Sequence, residues 1–100
     1  VPRAELMLAQ ARALQAQGDA NGARARLAAV LSDLAPWGDQ PNARPLWLLA
    51  ADAQLAMAPL EPRRRADWLQ RAAASYARAH AQQPLQGDAL RNYQLAGGRV

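Results

Sequence analysis

Cysteine, lysine and phenylalanine are all absent from this 100-residue chain, and aromatic residues make up 5% of it. Without cysteine there is no disulfide framework, no thiolate nucleophile and no zinc–thiolate site, and cytoplasmic and periplasmic settings both stay open. With a single histidine, His80, and no nearby carboxylate pair, a metal site is not expected. No run of about 20 apolar residues is present to form a transmembrane segment. The chain opens Val1-Pro2-Arg3-Ala4, without Met or the apolar stretch of a signal peptide, which leads to the expectation of an excised or processed piece of a longer protein.

What is present points to helices. Hydrophobic residues reach 51%, with alanine the commonest type. Alanine has the best helix propensity because it loses no side-chain entropy on ordering, yet it brings little apolar area to a core. Close-packed helices follow, with the few large residues carrying most of the burial energy. All twelve basic residues are Arg, a bias consistent with GC-rich bacterial coding, and against 8 acids they leave a net charge of +4. That excess admits an acidic partner or surface without requiring one.

Apolar spacing marks five helices. The first runs from Arg3 to Gln17 on Leu6, Met7 and Leu14, and Gly18-Asp19 supplies a stop followed by a cap. Asp19 or Asn21 caps the second, which carries Ala23, Leu27, Val30, Leu31 and Leu34 before Pro36 ends it. The short link predicts an antiparallel hairpin. Residues 37–42 read as a loop. A third helix starts near Pro45 and runs through Trp47, Leu48, Ala51 and Leu55 to Met57. After a loop bracketed by Pro59 and Pro62, a fourth spans about 63–82 with Trp68, Ala72, Tyr76 and Ala79 on one stripe. Pro84 stops it, Asp88 caps, and a short fifth helix covers about 89–96. Nothing alternates with period two as a strand would, so the chain is expected to be all-α, one domain over 1–100.

The large and small residues also repeat. Met7, Ala11 and Leu14, the turn Gln17-Gly18-Asp19, then Ala23 and Leu27 lead to Pro36; Trp47, Ala51 and Gln54 are followed by Ala72, Tyr76, Ala79 and Pro84; and Ala89-Leu90-Arg91-Asn92-Tyr93 starts the pattern again. This resembles the tetratricopeptide repeat, a helix-turn-helix of about 34 residues. Val30 at a small-residue position, the linker after Pro36 and the loop from Ala58 to Pro62 depart from the family. The resemblance implies hairpins at about 3–36 and 45–84 and a C-terminal helix at about 88–96, stacked as a short right-handed superhelix.

Function in that family is protein–protein interaction, so the resemblance implies a scaffold or adaptor in a bacterial multiprotein assembly that binds a peptide or protein on the face of the first helix of each pair. By position that groove comprises Glu5, Leu8, Arg12 and Gln15, then Leu48, Asp52 and Leu55, then Asp88, Arg91 and Leu95. The bundle alternative has Leu8, Leu48 and Leu55 simply packing inside. The Lys/Asn clamp by which some members grip a C-terminal carboxylate has no lysine here to form it.

No catalytic residues are expected, because the acids are scattered toward helix ends and turns rather than converging with a base. His80 sits near a helix C-terminus, where an imidazolium would suit the dipole. No cofactor is implied, and Gly97-Gly98 follows no strand that would make it a phosphate loop. Arg64, Arg71 and Arg78 recur every seven residues, which puts them on one helix face, away from the Trp68/Tyr76 stripe. Either they form an anion patch or, as the interrupting Asp67 favours, a solvated face; nucleic acid is disfavoured for lack of interleaved exposed aromatics. Trp37 is expected to fold back over the first hairpin as a lid, or, if exposed, to be an interaction hot spot. Leu90, Tyr93 and Leu95 at the end suit a continuing repeat in a longer protein or self-association as a homo-oligomer.

Overall fold

Two turns, one tight and one stretched, set the arrangement of the helices. The computed structural model describes residues 2–37 and 43–98, within which the chain is all-helical, with no strand. Of the loop expected at 37–42, Trp37 ends a 3-10 turn and residues 38–42 lie outside the described residues. Five α-helices follow one another: α1 (Pro2–Ala16), α2 (Ala20–Leu34), α3 (Arg44–Met57), α4 (Arg65–Gln82) and α5 (Gly87–Leu95).

The α1–α2 turn is built from Gly18 and Asp19. Gly18 takes φ +85°, its N–H bonds the Gln15 carbonyl at 3.0 Å and the Asp19 N–H bonds the Leu14 carbonyl at 2.9 Å. This satisfies two orphan carbonyls at the end of α1. Asp19 then caps α2, its carboxylate accepting from the Gly22 N–H at 2.9 Å. Asn21, the alternative cap, lies inside α2 and accepts from Arg24 instead.

The second hairpin is longer in the joint. Between α3 and α4 the chain makes two 3-10 turns, Ala58–Leu60 and Pro62–Arg64, so α4 begins at Arg65, two residues later than expected. Each proline sits where its missing N–H costs no helical bond. At the other end of α4, Gln83 is extended, as a residue before proline must be. The start of α5 corrects the expected cap: Gln86 occupies the N-cap position without a side-chain bond, and Asp88 falls inside the first turn, where its charge suits the helix dipole.

Each helix packs on its successor, and α1 and α3 also touch the next but one, α3 and α5. The core has two parts. Met7, Leu8, Leu27, Val30, Leu34, Met57 and Trp68 gather with small alanines between the first hairpin and the α3–α4 joint. Tyr76 and Leu85 form the second with Ala51, Ala72, Ala79 and Ala96. Ala51, Ala72 and Ala79 are wholly buried, which lets the α3 and α4 backbones approach closely around Tyr76. The stripe expected on α4, Trp68, Ala72, Tyr76 and Ala79, is its buried face. Leu6, by contrast, points outward from α1.

Candidate functional site

Helix α3 runs through the middle of the molecule and shows two opposite faces. On a helix of 3.6 residues per turn, Leu48 and Asp52 share one side, while Leu46, Ala50 and Met57 share the other. Each side opens into a depression.

The first depression, about 430 Å³, is lined by Arg12 of α1, Leu48 and Asp52 of α3, and Asp88, Ala89, Arg91 and Asn92 of α5. The structure therefore brings together, from three helices, five of the residues placed on the first-helix face from sequence. It does not bring the others there. Leu8 is buried in the first core beside Met7 and Ala11, because the inner face of α1 is wide enough to take it against α2 and α3. Leu55 is half-buried against the second core, and Glu5 and Gln15 are exposed on α1 outside the cleft lining. Leu95 is exposed at the end of α5.

Tyr76 anchors one wall of this cleft. Its ring is fully buried, and its hydroxyl donates to Asp52 Oδ1. Burial, which disfavours the phenolate, raises its pKa well above the ordinary tyrosine range; the Asp52 hydrogen bond and charge add to the rise, while the Asn92 hydrogen bond and the Arg12 charge oppose it. Asp52 is thus oriented by a rigid partner, in a cleft that Arg12 and Arg91 also line.

The second depression is larger, about 870 Å³, and lies where α2 and α4 flank the far side of α3. Its floor includes Leu46, Ala50, Gln54 and Met57, and Ala25, Ala28 and Leu31 of α2 form one wall. Arg64, Arg71 and Arg78 line the α4 side, and here the sequence expectation is corrected. They do not stand apart from the aromatic residues. The guanidinium carbons of Arg64 and Arg71 each lie over the Trp68 ring, 5.0 Å from its centre, and that of Arg78 lies over the Trp47 ring, 4.4 Å from its centre. The reason is spacing: positions four before and three after Trp68 are its neighbours on a helix, so a seven-residue arginine repeat brackets the indole. Asp67 lies 3.8 Å from Arg64 and 3.7 Å from Arg71 on the exposed side.

One further expectation changes and one holds. Trp37 is 51% exposed, because the 3-10 turn Ala35–Trp37 carries it past the end of α2 instead of folding it back as a lid. His80 stands in the last turn of α4, as expected, where its Nδ1 accepts from the Leu85 N–H at 3.0 Å and its ring packs 5.8 Å from that of Tyr93, which fixes the α4–α5 link.

Three polar residues do not stand out in the sequence. Arg44 donates to the carbonyls of Ala79 and Gln83 at 3.2 and 3.1 Å, closing the C-terminus of α4. Glu61 accepts from Trp68 Nε1 at 2.8 Å. Asn92 joins the α1/α3/α5 cleft; its place in the repeat pattern is the one signal that points to it.

Among the described residues, no group of three or more His, Asp or Glu side chains is placed to hold a metal ion, and no helix is long and apolar enough to cross a membrane. No family model, curated protein or solved structure matches the chain.

Proposed function

We propose that the chain is a non-enzymatic interaction module, a short array of helical hairpins of tetratricopeptide type that holds a peptide or protein segment in the α1/α3/α5 cleft as part of a bacterial assembly. The observation that carries this reading is the convergence of Arg12, Asp52, Asp88 and Arg91 from three helices onto one open cleft. An extended peptide presents both N–H and C=O groups. Carboxylates of Asp52 and Asp88 accept from the former, and Arg12, Arg91 and Asn92 donate to the latter. The Tyr76 bond holds Asp52 in place before any ligand arrives, which lowers the ordering cost of binding.

Peptide display against the immobilised chain tests it. Sequences enriched on the wild type are expected to lose binding when Arg12→Glu and Arg91→Glu are combined. Enrichment that ignores both changes would remove the cleft from the binding surface.

A second reading rests on Leu95, which is 66% exposed at the C-terminal end of α5 beside the half-buried Leu90 and Tyr93. An apolar side chain so placed suits a helix that a further hairpin, or a second copy of the chain, would cover. Sedimentation of wild type and Leu95→Lys separates self-association from the peptide-binding reading, since that change leaves the cleft lining intact.

A further inference from the structure

We infer that the groove between α2 and α4, on the opposite side of α3 from the proposed peptide cleft, is the docking site for an acidic amphipathic helix of a partner protein. The inference stands independently of the α1/α3/α5 reading.

The shape comes first. The groove holds about 870 Å³, and two turns of an α-helix, about 10 Å across and 11 Å long, occupy roughly 850 Å³. Helices α2 and α4 both pack on α3 without packing tightly on one another, so the floor between them is the side of α3 that carries Leu46, Ala50 and Met57. An occupant with one apolar stripe covers that floor.

Charge selects the occupant. Arg24 stands on the α2 side and Arg64, Arg71 and Arg78 on the α4 side, against Glu61 as the acidic residue lining the groove. The three arginines are preorganised, the guanidinium carbons of Arg64 and Arg71 lying over the Trp68 ring and that of Arg78 over the Trp47 ring. A guanidinium held over an aromatic ring by cation–π attraction still has N–H groups to donate to carboxylates. The seven-residue spacing of Arg71 and Arg78 sets them about 10.5 Å apart along α4, close to the distance between side chains two turns apart on a partner helix. Asp67 competes for Arg64 and Arg71, but these are half-exposed pairs at 3.7–3.8 Å of the kind that contribute about 0–1 kcal/mol, so a better-placed carboxylate displaces them, while Arg64 is also engaged by Glu61 at 3.4 Å and leaves Arg71 and Arg78 as the principal anchors. Arg78 has no carboxylate within ion-pair distance among the described residues.

Two other occupants fit less well. A second copy of this chain brings a net charge of +4 toward an arginine rim. A nucleic-acid backbone would satisfy the arginines but leave the apolar floor uncovered, and the tryptophans already stacked on arginine are not free platforms for bases.

The probe is a synthetic amphipathic helix of about four turns, with leucines on one stripe and flanking glutamates seven residues apart, compared with a sibling carrying Lys for every Glu. Binding to the full chain is read by anisotropy of a label on the peptide. The glutamate peptide is expected to bind and the lysine peptide not to; Arg71→Glu and Arg78→Glu should each weaken binding roughly tenfold. Ala28→Glu, an exposed change on the α2 wall, should do the same without touching the arginines. Arg12→Glu with Arg91→Glu should leave this binding unchanged, which separates failure here from failure of the peptide cleft. Equal binding of the two peptides, indifference to all three groove variants, or tight binding of a single-stranded oligonucleotide in place of the glutamate peptide would overturn the inference. Unchanged circular dichroism of each variant establishes that a loss reports the groove and not the fold.

Discussion

The Tyr76 hydroxyl donates to Asp52 from a ring with no solvent exposure, so the one polar atom of a core residue is used to fix a carboxylate at the edge of a cleft. The arrangement has a pH signature. Burial holds the folded-state pKa of Tyr76 above its unfolded value of about 10, so the folded chain keeps a proton that the unfolded chain gives up. The stabilisation is whole below that value and falls as pH rises past it, by up to about 1.4 kcal/mol per pH unit for this one group. Urea unfolding at neutral pH and near pH 11 is expected to show this loss in the wild type and not in Tyr76→Phe. The Phe variant should also be weaker by about 1–3 kcal/mol at neutral pH, because Asp52 loses its donor. Matching alkaline slopes for the two chains would contradict the assignment.

The turn between α1 and α2 concentrates two separable contributions in adjacent residues. A methyl group added to Gly18 would meet nothing within 4 Å, so at φ +85° the cost of Gly18→Ala is backbone strain and not collision; roughly 1 kcal/mol is expected. Asp19→Ala removes the α2 cap and should cost about 0.5–2 kcal/mol. Because both act on one short turn, the double variant should depart from additivity. Thermal unfolding of the three variants measures this, and a stability gain for Gly18→Ala would show that the turn is not required in this form.

Local signals explain why most of the fold is legible in the sequence. Gly18-Asp19, Pro45 and Pro84 act within a turn or two of where they stand, and the all-helical class and the α4 stripe follow from them and from 3.6-residue spacing. Long-range relationships are not legible in the same way. Arg44 reaches across 35 residues of chain to Ala79, a pairing that no spacing rule encodes. Leu8 and Leu48 look alike in sequence, yet one is in the core and the other in a cleft lining, since the difference depends on how α1 and α5 lie against α3. The arginine repeat reads as a face apart from Trp68, although the same seven-residue spacing makes those arginines its neighbours. There the pattern is visible and its geometry is easily misassigned, because long side chains reach back across the helix surface to the indole.

Arg44 ties the first turn of α3 to the end of α4, donating to the Gln83 carbonyl just past the helix and to the Ala79 carbonyl, which also accepts from the Gln83 N–H. A cation at that end also suits the dipole of α4. Arg44→Ala is expected to destabilise the chain by about 1.5–3 kcal/mol, the range for hydrogen bonds to a charged group. Arg44→Lys should recover part of this, since a single ammonium does not reproduce the planar fork that spans both carbonyls. Hydrogen exchange localises the effect: the α4 C-terminus should exchange faster in Arg44→Ala while the α1–α2 turn is unchanged. Uniform acceleration through the whole chain would instead mean that Arg44 contributes to global stability without a specific cap.

Glu61 does for the stretched α3–α4 joint what Gly18 and Asp19 do for the tight one. Between its two 3-10 turns, the joint is held to α4 by the Glu61 carboxylate accepting from the indole N–H of Trp68, which is 6% exposed. Removing the acceptor leaves a nearly buried donor unpaired, at about 1–3 kcal/mol, whereas an amide oxygen at the same position still accepts. Glu61→Ala is therefore expected to lower the unfolding free energy by about that amount, and Glu61→Gln by less than about 1 kcal/mol. Arg64, which also donates to Glu61 Oε1 at 3.4 Å, loses its ion pair in both variants, so the difference between them reports the acceptor oxygen, whose shorter and less exposed donor is the indole. Equal destabilisation by Ala and Gln would assign the effect to the lost charge rather than to the hydrogen bond that closes the joint.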